Sequence, residues 1–130
     1  MDNVPSNFDW VTARNACSTR KVFEELKLGV MDDISAVNSL RGRLIFNVAA
    51  NSAGDVLSVF SEDETNSQRI IFRVSNREIV IEGSSEIPLS VTLALNSNGQ
   101  CKLKINGKEE ELFQWQIRML VLEKLFFGTP

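Results

Sequence analysis

Histidine and tyrosine are both absent from this chain, and cysteine and proline are scarce, at two and three residues out of 130. The missing histidine removes imidazole general acid–base catalysis and every Ser-His-Asp or Cys-His nucleophile. A metal site would have to be built from carboxylates alone. The two acidic runs, Asp32-Asp33 and Glu62-Asp63-Glu64, do not follow the alternating ligand spacing of a calcium loop, so no metal is expected. Neither G-x-x-x-x-G-K-[ST] nor G-x-G-x-x-G occurs, which leaves no phosphate cradle. No catalytic residue and no cofactor site are expected, and the chain reads as a non-enzyme.

An excess of basic charge is missing too. The 14 Lys and Arg residues are outnumbered by 17 Asp and Glu, giving a net charge of −3. Nucleic-acid binding domains are usually basic, with Lys and Arg clustered on one face. No nucleic-acid partner is expected. No apolar run approaches the ~20 residues of a membrane span, so membrane insertion is not expected either. The opening MDNVPSNFDW has neither the basic nor the apolar part of a signal peptide, which points to the cytoplasm. Cys17 and Cys101 are too few and too far apart for a disulfide framework or a zinc site. In a reducing cytosol they are expected to be free thiols, packed as small hydrophobes.

What remains is an ordinary globular composition, 43% apolar and 24% charged. A chain of this size buries roughly two thirds of its unfolded surface and needs no staple. The expectation is one domain over 1–130, with 1–8 an irregular arm. Asp9 can cap a short helix to Cys17, with Trp10, Ala13 and Cys17 on one face. Ser18 can cap a longer one to about Leu40. Its stripe is Phe23, Leu26, Val30, Ile34 and Val37, widened by Val22, Leu28 and Met31. Gly29 weakens its middle by about 1 kcal/mol relative to Ala. Gly42 is placed to close it in a left-handed conformation.

From residue 43 the apolar period switches from helical to two. Strands are expected at 43–49, 55–61, 69–74, 77–82, 89–95 and 101–105. Their inward residues are Leu44, Phe46, Ile70, Phe72, Ile79, Ile81, Val91, Leu93, Cys101, Leu103 and Ile105. The second strand leaves open whether Val56 and Phe60 or Leu57 and Val59 face the core. Every connection is short and built of turn residues, so the strands should form an antiparallel meander. Asn106-Gly107 is a type I′ hairpin signal. Lys108–Glu110 can add an edge strand. Leu112, Trp115, Met119, Leu122 and Phe126 then recur at helical spacing, giving a helix from about Glu110 to Phe127 that stops at Gly128. Glu109, Glu110 and Glu111 would sit at its start, where the dipole favours carboxylates.

One pattern exceeds what a half-solvated sheet needs. Ile45, Ile71, Val80 and Ala94 fall on the face opposite the main core, flanked by Arg43, Arg69, Arg73, Arg77, Glu78 and Glu82. Either helices cover both faces of the sheet, or the sheet curls over this band, or the band meets a partner.

In layout, short antiparallel strands closed by a C-terminal helix with Trp115 in its first turns resemble the pleckstrin-homology arrangement over residues 43–127. The lipid-binding members of that family imply a basic first hairpin loop, and NSAG (51–54) here has no basic residue. The acidic charge and size are also similar to small dimeric bacterial secretion chaperones, whose strands are interrupted by a helix where these are not.

The fold expected is therefore α+β: an N-terminal helix, a strongly twisted meander of six or seven strands or a half-barrel, and a C-terminal helix packed on it. The function expected is a non-catalytic interaction module whose partner is a second copy or another protein, through Ile45, Ile71, Val80 and Ala94. The alternative is a carrier for a small apolar ligand, held between sheet and C-terminal helix in a pocket lined by Phe46, Phe72 and Trp115.

Overall fold

A computed structural model describes residues 7–62 and 68–128. It is α+β, with α1 (Trp10–Ala16) and α2 (Thr19–Arg41) leading into six strands. These are β1 (Phe46–Ala50), β2 (Val56–Ser61), β3 (Arg69–Ser75), β4 (Glu78–Glu82), β5 (Leu89–Leu95) and β6 (Cys101–Ile105), followed by α3 (Gln114–Phe127). The strands pair antiparallel in sequence order, β1 to β6, as one open, unclosed sheet. This is the meander that the short connections require. The pleckstrin-homology layout is not formed: the six strands stay one open sheet, and α2 packs on it together with α3.

The helix ends obey local chemistry. Ser18 Oγ accepts from Lys21 N at 3.3 Å, and Asp9 Oδ1 from Thr12 N at 3.1 Å. Gly42 closes α2 with φ 73°, its N–H reaching Asn38 and Ser39 carbonyls. Arg20, in the first turn of α2, opposes its dipole but has a partner. Arg20 Nη1 and Lys27 Nζ donate to the Gly54 carbonyl at 3.1 and 3.0 Å, holding the β1–β2 turn. At the β6 hairpin Asn106 and Gly107 take φ of 52° and 74°, as a type I′ turn demands.

Both long helices lie on the same face of the sheet. Val22, Phe23, Leu26, Val30, Ile34 and Val37 of α2 pack with Ile117, Val121, Leu122, Leu125 and Phe126 of α3. Beneath them are Phe46, Leu57, Val59, Ile70, Phe72, Ile79, Ile81, Val91, Leu103 and Ile105. The open register of β2 resolves with Leu57 and Val59 inward, opposite Phe72 and Ile70. Among the described residues no helix lies on the other sheet face, so of the three alternatives the covering of both faces by helices is not what these residues form.

Four expectations are corrected. Leu44 is 83% exposed, because β1 begins only at Phe46 after an irregular exit from α2. The helix at the C-terminus starts at Gln114 rather than Glu110. Leu112 instead exchanges backbone hydrogen bonds with Leu103 at 2.8 and 2.9 Å, extending the edge of β6. That keeps Glu109, Glu110 and Glu111 out of the helix, and Glu111 Oε1 accepts from Asn96 Nδ2 at 3.2 Å. Finally, Cys17 and Cys101 are joined in a disulfide, with Cα atoms 5.4 Å apart, so neither is a free thiol. Sequence distance concealed this, because the fold returns β6 to the end of α1.

The expected arm (1–8) and the loop 62–67 lie mostly outside the described residues.

Candidate functional site

The feature that stands out is the helical layer. The α3 sequence QWQIRMLVLEKLFF is polar only at Gln114, Gln116, Arg118, Glu123 and Lys124. Its apolar residues go all round the helix, a composition normal for a helix enclosed on every side. The fold encloses one side only. Trp115 is 52% exposed, Met119 52%, Leu120 56% and Phe127 63%. Trp115 and Met119, expected on the apolar stripe of this helix, are therefore surface residues. The helix is turned so that Ile117, Val121 and Leu125 face the sheet, and the stripe read from 3-4 spacing lies to one side.

Contacts with α2 set that rotation. Gln114 Nε2 donates to Glu25 Oε2 at 2.8 Å, Arg118 meets Gly29 and Asp33, and Arg41 Nη2 donates to the Phe126 carbonyl at 2.6 Å. The contacts follow the same order on both helices, so α2 and α3 run in the same direction. Gly29 explains itself here. A Cβ at that position would lie 1.5 Å from Arg118 Nη1 and 2.6 Å from its Cζ. The helix accepts a weak former so that the guanidinium can lie on its backbone.

The groove between α2 and α3 has a volume of about 440 Å³. Val37, Leu40, Trp115, Met119, Phe126 and Phe127 give it apolar walls, and Asp33, Arg118 and Glu123 add charge. Arg118 Nε lies 3.2 Å from Asp33 Oδ2. This is an ion pair rather than an aligned hydrogen bond, for that Nε makes none among the described residues.

Burial under α3 raises the Asp33 carboxyl above its ordinary 3.8; Arg118 pulls it down and Asp32 pushes it up, both less strongly. An acid raised in the folded state binds more protons there than in the unfolded chain between 3.8 and its folded value. Its contribution to stability therefore falls as pH rises through that window. A carboxyl-detected NMR titration should place the Asp33 midpoint above 3.8, and Arg118→Gln should move it higher still. A midpoint at or below 3.8 would contradict this environment.

Of the residues expected at an interaction face, Ile71, Val80 and Ala94 share the helix-free face of the sheet, whereas Ile45, just before β1, packs against the core. Ile71 is opposite Ser58 and Glu82, Val80 opposite Arg73 and Ser90, and Ala94 opposite Lys102. Ile45, Ile71 and Val80 are half-buried. Charged side chains screen the face: Arg73 pairs with Glu82 at 3.2 Å, and the Arg69 guanidinium lies 4.6 Å from the Phe60 ring centre. Lys102, buried on this side, reaches over the Phe113 ring at 3.2 Å.

The three expected pocket residues are not brought together. Phe72 is inside the core, Phe46 packs against Phe126 with ring centres 4.9 Å apart, and Trp115 borders the α2–α3 groove. This groove lies between helices; the hollow between the sheet and α3 is lined instead by Leu89, Ile105, Leu112 and Leu120, not by the expected three. No group of three potential metal-ligating side chains occurs among the described residues. No described helix is long and apolar enough to cross a membrane.

Sequence reading missed the exposed side of α3, although its lack of amphipathicity was a usable signal. It also missed Asn38, buried within the last turns of α2, for which spacing gave no sign. No family model, curated protein or solved structure matches the chain.

Proposed function

We propose that this chain is a non-catalytic interaction module that associates with a second copy of itself. The observation that carries the reading is α3, apolar around its whole circumference and covered on one side only. Exposed apolar groups in a contiguous patch mark interfaces. The patch formed by Trp115, Met119, Leu120 and Phe127 is more open than half-buried Ile71 and Val80, so the helical layer takes precedence over the sheet face as the surface. The disulfide supports a working environment oxidising enough to keep Cys17 and Cys101 joined, in place of the reducing cytosol expected from composition.

A second reading is favoured by the groove. Its volume and apolar walls suit one small apolar ligand, which would make the chain a carrier. Native mass spectrometry of the oxidised protein separates the two. The expected species is a dimer of 2 × 14.6 kDa with no added mass. A monomer with several hundred daltons of bound material would replace the module by the carrier. A bare monomer at every accessible concentration would remove both.

A further inference from the structure

We propose that the second copy docks α3 against α3, antiparallel, across a two-fold axis passing between Met119 and Leu120. The inference rests on the self-association proposed above and names its surface and register. At about 100° per residue, the outward line of α3 runs through Gln116, Met119, Leu120, Glu123 and Phe127. A two-fold interface presents the same patch twice, so the patch must be complementary to itself when reversed.

This one is. Reversal about the 119/120 midpoint puts Met119 of one copy beside Leu120 of the other, twice. It puts Gln116 opposite Glu123. Gln116 Oε1 already accepts from Phe113 N at 2.8 Å. Its amide nitrogen is left as a donor, and the facing Glu123 carboxylate is an acceptor with no intrachain partner to displace among the described residues. At the ends, the same reversal brings Phe127 of one copy to the Leu112–Phe113 segment of the other, where Phe113 is half-exposed. A parallel pairing would instead set Glu123 against Glu123 and Lys124 near Lys124, which repel. Charge outside the pair agrees. The chain is acidic as a whole, yet this strip carries a single charged residue, Glu123, and Arg118 beside it is engaged by Asp33. Two copies can meet here without bringing their excess charge together. The groove beside it leaves room for Trp115 and Met119 to repack as the helices close.

The test is a charge exchange read by sedimentation equilibrium, with circular dichroism to confirm the fold, since both positions are exposed. Met119→Lys alone and Leu120→Glu alone should each weaken dimerisation roughly tenfold or more. Combined in one chain, they should restore it, because Lys at 119 then faces Glu at 120 of the partner twice. Ile71→Lys on the sheet face should leave the association constant unchanged. A double variant that stays monomeric overturns the antiparallel register. Single variants that dimerise like the parent overturn this surface while self-association itself stands. A parent chain that is monomeric throughout removes the proposed function together with this inference.

Discussion

Reducing the Cys17–Cys101 bond, or replacing both residues by Ser, should lower stability by about 2–5 kcal/mol. The bond spans a sequence separation of 84 residues, and cross-linking so long a loop removes much freedom from the unfolded chain. Its effect on the native state is more local. Helix α1 contributes no buried residue of its own. Cys17, which follows it, is buried, and its bond ties the end of α1 to the start of β6. Phe8 adds one further clasp, its ring lying against Gly99 in the β5–β6 turn. A thermal melt with and without reductant should show a fall in Tm on the order of 10 °C. Hydrogen exchange should show protection lost across 9–17 while α2 and the sheet keep theirs. Identical melts in the two conditions would mean that the bond does not hold the fold.

Asn38→Ala should cost about 3 kcal/mol, more than most single substitutions. Its side chain is buried at the end of α2 and makes three hydrogen bonds with the chain that follows. Nδ2 donates to the Phe46 carbonyl at 2.9 Å, and Oδ1 accepts from Ile45 N and Phe46 N, both at 3.0 Å. Backbone that would have no strand partner at the start of β1 is thereby satisfied by one amide. Removing it leaves buried donors and an acceptor without partners, which costs more than the bonds themselves contribute. Urea unfolding should show the loss as a lower midpoint at unchanged slope. Phe46 and the adjoining β1 amides should lose exchange protection first. Asn38→Asp is a sharper probe, since it keeps the acceptor for the two N–H groups and loses the donor to the Phe46 carbonyl. A change within 0.5 kcal/mol for Asn38→Ala would refute this bridging role.

Much of the fold was legible before any coordinates. The period-two runs gave six strands, and their short polar connections left only antiparallel neighbours. Ser18 and Gly42 marked both ends of α2 because capping is a local matter between a side chain or a cap residue and the next turn. The inward residues of β3, β4 and β6 follow directly from alternation. These features depend on interactions within a few residues, so a single sequence carries them.

Tertiary structure decided the rest. Which sheet face the helices cover, that of Phe46 and Phe72 or that of Ile71 and Val80, is decided only where α2 and α3 pack together on the first. The rotation of α3 was not legible, because a helix apolar on every side has no preferred face of its own. Arg118 lying on Gly29 and pairing with Asp33 fixes it, and thereby turns Trp115 and Met119 outward. The disulfide needed β6 brought back to α1, and the role of Asn38 needed the exit of α2 set against β1. Each is a contact between segments that sequence alone cannot place, which is why the candidate surface emerged from packing rather than from pattern.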